Sequence, residues 1–159
     1  MKNWLYNYKE EISNCKTKIL YLGPIENICD LLDYNSNIIP CVKSYHEYIE
    51  IKDSFKDIKL FDMEYGLPFE EGSFDIIIAD SSLHFFDDNT TKKLLFKIKR
   101  ILKQNGILIF RVNSDKVNED NVKCFSKEDI YHYFGNGILE YLEEENVNQK
   151  ILWKGCIRY

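Results

Sequence analysis

Residues 67–88 read LPFEEGSFDIIIADSSLHFFDD, and how this stretch is read decides the fold. Its centre, FDIIIAD at 74–80, is a near-continuous apolar run of strand length. Such runs belong to strands buried on both faces, as in parallel sheets. YGLPFEEGS, residues 65–73, carries turn chemistry before it. After it, Asp88 or Asn89 is expected to cap a helix with Leu94, Leu95, Ile98, Ile101 and Leu102 on one stripe. Gly106 lies just past that helix, where a left-handed cap is expected. GILIFRV, 106–112, then reads as another strand.

The same alternation extends outward. KILYLG, 18–23, is a first strand ending in glycine. Residues 26–33 form a short helix through Ile28, Leu31 and Leu32. NIIPCV, 37–42, is a second strand, where Pro40 suits a strand end or edge. Residues 44–53 are helical, and IKLFD, 58–62, is a third strand. Residues 3–14 put Trp4, Leu5, Tyr8 and Ile12 on one helical face, which predicts an N-terminal helix within 1–17 packed on the domain. Downstream, Ser126 and Asp129 form an N-cap pair opening a helix toward Phe134, closed by Gly135 and Gly137. ILEYLEE and KILWKGCIRY alternate with period two and join near Asn146–Gln149 as an antiparallel hairpin. The expected fold is α/β, a doubly wound and mostly parallel seven-stranded sheet with that C-terminal hairpin. No linker divides it, so residues 1–159 are read as one domain.

Composition excludes several classes. The chain has 159 residues, 45% of them hydrophobic, enough for one core. Its net charge is −5 and its Lys and Arg are scattered, so no nucleic-acid partner is expected. Lys92, Lys93, Lys97, Lys99, Arg100 and Lys103 read as the solvated side of an amphipathic helix. No apolar run is long enough for a membrane span, and MKNWLYNYKEE lacks a signal-peptide core. A cytoplasmic protein is expected. Cys15, Cys29, Cys41, Cys124 and Cys156 are odd in number and far apart, which fits neither a disulfide framework nor zinc. His46, His84 and His132 also lack metal-ligand spacing, so no metal is expected.

Two segments carry a family resemblance. In 67–88 a Leu-Pro-Phe segment precedes the strand, Asp75 opens it, and Leu83-His84 follows. In 101–110, ILKQNGILIF, a helix ends in Leu-Lys before a glycine turn and a strand. From Lys18 to Tyr159 the chain resembles the class I S-adenosylmethionine-dependent methyltransferases, type 11-like. The resemblance implies a Rossmann-like methyltransferase fold, S-adenosylmethionine as cofactor and a small-molecule substrate. It implies cofactor contacts at Gly23, Lys43, Asp62, Met63 and Ser81. Asp62 fits the family's adenine contact, and it is also an ordinary turn residue.

The cofactor loop departs from the family pattern. The family's first strand ends in an acid followed by G-x-G-x-G; here the run is Tyr21-Leu22-Gly23-Pro24-Ile25-Glu26-Asn27. Ile25 resists positive φ and sets a branched side chain where the cofactor's methionine part lies. Asn27 tolerates left-handed geometry, and Pro24 removes a donor. The family places an acid at the end of the second strand to accept from both ribose hydroxyls. Lys43 stands there and can only donate; Glu47, one turn on, is placed to reach back. His84 is a proton acceptor or a packed histidine. Tyr45, Tyr48, Phe85 and Phe86 are read as core or flank. No catalytic residue is assigned, because transfer from a sulfonium needs positioning more than a dyad.

Three readings follow. One is an active small-molecule methyltransferase. Another is a non-catalytic protein of that fold, acting on a protein partner or as a homodimer. The third is a nucleotide-binding oxidoreductase with Lys43 meeting a 2′-phosphate, although a dinucleotide needs the missing glycines.

Overall fold

The computed structural model describes residues 5, 8–28, 31, 34, 35, 37–116, 122–148 and 150–159. The described strands are β1 Ile19–Leu22, β2 Ile38–Val42, β3 Lys59–Leu60, β4 Phe74–Asp80, β5 Leu102–Asn113, β6 Ile138–Val147 and β7 Lys150–Arg158. They make one seven-stranded sheet in the order β3-β2-β1-β4-β5-β7-β6. β1 to β5 pair in parallel, while β7 runs antiparallel to both β5 and β6. The doubly wound sheet expected from the alternation is the one that forms. β7 is its antiparallel strand, one in from the edge.

Every residue of β1 and β2 is buried. Both faces of those strands meet a core, so an apolar residue is needed at each position. Successive side chains divide between the faces. In β4, Ile77 and Ala79 join one core with Leu95, Ile98 and Phe110. Ile76 and Ile78 join the other, with Ile12, Tyr21 and Ile109.

The described helices are α1 Lys9–Ser13, α2 Tyr45–Ile51, α3 Asp88–Ile101 and α4 Lys127–Phe134. The α3 stripe is buried as its spacing requires. Its cap is Asp87, not Asp88 or Asn89: the Asp87 carboxylate accepts from the Thr90 N–H at 2.7 Å. Gly106 is not the left-handed cap either. α3 passes directly into β5, Asn105 takes the positive φ of 63°, and Gly106 avoids a clash, since a Cβ there would lie 2.8 Å from the Lys103 carbonyl. Pro40 sits within β2, which is an interior strand. β3 pairs only with Cys41 and Val42, so the stretch holding Pro40 has a described neighbour on one side alone. Ser126 and Asp129 form the expected capping box of α4. At the N-terminus Leu5, Tyr8 and Ile12 are buried in the second core. Trp4, Cys29, Leu32 and Gln149 lie outside the described residues. Among the described residues no helix is long and apolar enough to cross a membrane.

The start of β4 is tied down electrostatically. Asp75 accepts from the Lys18 N–H at 2.9 Å and from Lys103 Nζ at 2.7 Å. Burial opposes its charge, but these bonds hold the carboxyl below its ordinary range. A carboxyl lowered by folding stabilises the native state at higher pH and loses that contribution as pH falls through the folded value. Urea midpoints should therefore fall below about pH 4, and Asp75→Asn should show a shallower acid loss with a lower midpoint at neutrality.

Candidate functional site

The strand order reverses between β1 and β4, and the carboxyl ends of the parallel strands open a cleft of about 620 Å³ there. Ligands of open α/β sheets sit at such a switch point. Gly23 follows β1, Lys43 follows β2, Asp62 and Met63 follow β3, and Ser81 follows β4. All five line this one cleft. Phe85 and Phe86, given no role from sequence, line it too. Tyr45 and Tyr48 instead stack on each other, 5.8 Å between centroids.

The loop after β1 solves its backbone problem locally. Pro24 leads into a 3₁₀ turn over Ile25–Asn27. In that turn Ile25 needs no positive φ; among described non-glycine residues positive φ occurs at Ser81, Asn105, Asn136 and Asn148. The Ile25 side chain packs against the second core while bordering the cleft, which stays open beside it. The expectation of a loop strained at Ile25 is corrected by this turn. Gly23 is required for space: a Cβ would lie 2.5 Å from the Asp80 carbonyl oxygen and 3.2 Å from the Tyr21 hydroxyl. Gly23→Ala is expected to cost about 1–3 kcal/mol and to weaken ligand binding, read by denaturation and calorimetry together.

Beneath the loop lies a buried polar network. Asp80 ends β4 with 1% of its surface exposed. Its Oδ1 accepts from Arg111 Nε at 2.8 Å and Nη2 at 2.7 Å, and from Ser81 Oγ at 3.2 Å. Its Oδ2 accepts from Tyr21 Oη at 3.0 Å and Asn27 Nδ2 at 2.9 Å. Burial first, then the Asp80 charge, push the Tyr21 hydroxyl far above its ordinary range, so it remains a donor. Tyr21 and Asn27 replace an acid and a glycine of the family pattern. Here they hold a carboxylate supplied by the adjacent strand. Sequence reading missed Asp80 and Arg111. The available signal was a charge at the C-terminal end of each of two apolar strands, opposite in sign; the register pairs them directly.

A second carboxylate sits at the end of β2. Glu47, in the first turn of α2, turns back so that Oε2 accepts from the Lys43 N–H at 3.0 Å and the Ser44 N–H at 2.9 Å. Ser44 Oγ accepts from the Glu47 N–H in return, completing a capping box. Glu47 lines the cleft beside Lys43. Its other oxygen has no hydrogen bond within the network just described.

Among the described non-glycine residues with positive φ, Ser81, at 50°, is the one that is not asparagine, and strain at a cleft edge commonly marks a working site. Neighbouring Ser82 is 5% exposed, and its hydroxyl has no partner among the described residues. His84 is buried, with its ring 4.4 Å from Phe85. Burial pushes the Cys41 thiol up, so this cleft cysteine stays neutral. Among the described residues no group of three or more His, Cys, Asp or Glu could hold a metal.

A family model described as a methyltransferase domain matches residues 23–110, more than half of the chain. The chain belongs to the methyltransferase domain family. No curated protein matches the sequence. Several solved methyltransferases share the fold. One from Methanosarcina mazei is 10% identical, with 97% of each chain covered and a TM-score of 0.79. One from Clostridium acetobutylicum is 14% identical, covering 98% of this chain and 89% of that one, TM-score 0.74. The Burkholderia thailandensis 1,6-didemethyltoxoflavin-N1-methyltransferase, solved with 1,6-didemethyltoxoflavin and S-adenosylhomocysteine, is 10% identical. It covers 99% of this chain and 78% of its own, TM-score 0.72. At these identities they establish architecture alone. The methyltransferase cleft of this chain fits the family's cofactor: it is open, it has a carboxylate at the end of β2, and Gly23 leaves a cradle that a Cβ would fill.

Proposed function

We propose that the protein transfers a methyl group from S-adenosylmethionine to a small molecule bound in this cleft. Glu47 carries the reading. It brings a carboxylate to the end of β2, where the family's ribose-binding acid stands and where this sequence has Lys43. Glu47 would accept from the ribose hydroxyls, Asp62 and Met63 would hold the adenine, and Gly23 and Ser81 would border the methionine part. Lys43 then flanks the site. Among the described residues, five carboxylates line the cleft against the single ammonium of Lys43, an excess that favours a cationic sulfonium ligand. When bound, S-adenosylmethionine supplies an already activated methyl group. The chain's own work is to hold the acceptor in line and keep water away.

One observation favours the second reading, a binding protein that has lost transfer and acts with a protein partner or as a homodimer. Tyr21, next to last in β1, stands where the family has an acid, and the nearby Asp80 is already saturated with donors. Calorimetry with S-adenosylmethionine and S-adenosylhomocysteine tests both. Micromolar binding supports the enzyme; no heat and no thermal shift at millimolar ligand leaves only the binding protein. NADPH in the same series is expected to give no heat. A cytoplasmic setting belongs to the same proposal: five widely spaced cysteines suit a reducing compartment.

A further inference from the structure

α3 and α4 both pack into the core that holds Ile77 and Phe110. Where the two helices meet lies a groove of about 670 Å³, which shares no lining residue with the cofactor cleft. Three cations line it, Lys92, Lys99 and Arg100, together with the rings of Phe96, Tyr133 and Tyr159. Among the described residues no carboxylate lines it, although the chain carries a net charge of −5. We infer that this groove docks a partner protein through an extended acidic segment that carries an aromatic residue among its carboxylates.

Charge argues for an anionic occupant. The structure separates cations that the helix pattern groups together. Lys97 Nζ donates to the Phe69 carbonyl at 2.8 Å, Lys103 pairs with Asp75, and Arg100 pairs with Glu71. Lys92 and Lys99 are exposed and make no ion pair among the described residues. Asp88 acts on Lys92 only at longer range and is itself paired with Lys123. The two ammonium groups lie over rings instead, Lys92 5.6 Å from the centre of Tyr133 and Lys99 5.3 Å from the centre of Tyr159. Cations placed so attract carboxylates from outside. Spacing argues for a chain. Lys92 and Lys99 stand about 10 Å apart along α3, at about 1.5 Å per residue. Carboxylates two to four residues apart on an extended peptide span about 7–13 Å, so one segment meets both lysines. A single small anion would meet one of them. Phe96 lies between the lysines on the same helix, 63% exposed, with the Arg100 guanidinium 5.7 Å from its centre. Its uncovered surface offers a contact for an aromatic side chain. The net negative charge of the chain disfavours a nucleic acid.

The test is an amide NMR titration with the peptide Glu-Asp-Phe-Glu-Asp-Tyr, its amide counterpart Gln-Asn-Phe-Gln-Asn-Tyr, and a short oligothymidylate. The acidic peptide should shift the amides of Phe96, Lys99, Tyr133 and Asn136. It should bind about tenfold more tightly than the amide peptide, and the difference should shrink in about 0.5 M salt. Lys92→Glu and Lys99→Glu, both at exposed positions, should each weaken the acidic peptide about tenfold. Lys93→Glu changes the net charge equally on the same helix but outside the groove, and should alter affinity less than about threefold. Phe96→Ala should weaken the acidic peptide about threefold. No shifts at millimolar peptide, equal binding of the amide peptide, or an equal loss at Lys93 would overturn the assignment. Tighter binding of the oligothymidylate would overturn it in favour of nucleic acid. A dimer in sedimentation that Lys99→Glu dissociates would overturn it in favour of a second copy of the chain.

Discussion

Arg111→Ala lowers stability by about 3–5 kcal/mol and the melting temperature by roughly 10 °C. The reason is the charge left behind. Asp80 is almost wholly inaccessible, and two of its hydrogen bonds come from the Arg111 guanidinium. Without it the carboxylate keeps only neutral donors, from Tyr21, Asn27 and Ser81. A double change, Asp80→Leu with Arg111→Met, should recover a substantial part of the loss, because it removes both charges from the interior. The loss should also reach ligand binding, since Asn27 and Tyr21 tie the cofactor loop to Asp80. Denaturation of the variants, followed by S-adenosylhomocysteine titration of those that fold, measures both effects. A single variant as stable as the wild type would show that the pair contributes nothing.

The second large effect is expected at Glu47. Glu47→Ala should raise the Kd for S-adenosylhomocysteine about a hundredfold, the value of two hydrogen bonds to a charged acceptor. It also removes a capping box, so stability has to be separated from recognition. Glu47→Gln keeps an oxygen for the Lys43 and Ser44 N–H groups but loses the charge, and should weaken binding about tenfold with little change in melting temperature. Ser44→Ala removes the hydroxyl half of the cap and should cost about 1 kcal/mol in stability without a comparable loss of affinity. Lys43→Ala should change affinity by less than about threefold. A larger effect at Lys43 than at Glu47 would return the ribose contact to the lysine.

The two carboxylates show how far a linear reading reaches. Gly23, Lys43, Asp62, Met63 and Ser81 were implied by the family resemblance; each follows a strand, and parallel strands deliver their ends to one edge. That they share a cleft follows from the strand pattern alone. Glu47 is legible in the sequence as a carboxylate one turn on that can reach back; the capping box that bends it toward β2 is what the fold adds. Asp80 and Arg111 required the register, because 31 positions separate them along the chain. The concern over Ile25 came from assuming that the family's loop conformation persists. The chain takes a different turn, in which a branched residue is at ease.

Hydrophobic spacing by itself determined the strands, the buried stripe of α3, the capped α4, the terminal hairpin and hence the doubly wound sheet. Those features depend on local periodicity, and periodicity is written in consecutive residues. Only the tertiary structure decided which charges meet and how the cofactor loop winds. Each of these depends on distances across the sheet between residues far apart in the chain, and such distances exist only once the strands have paired.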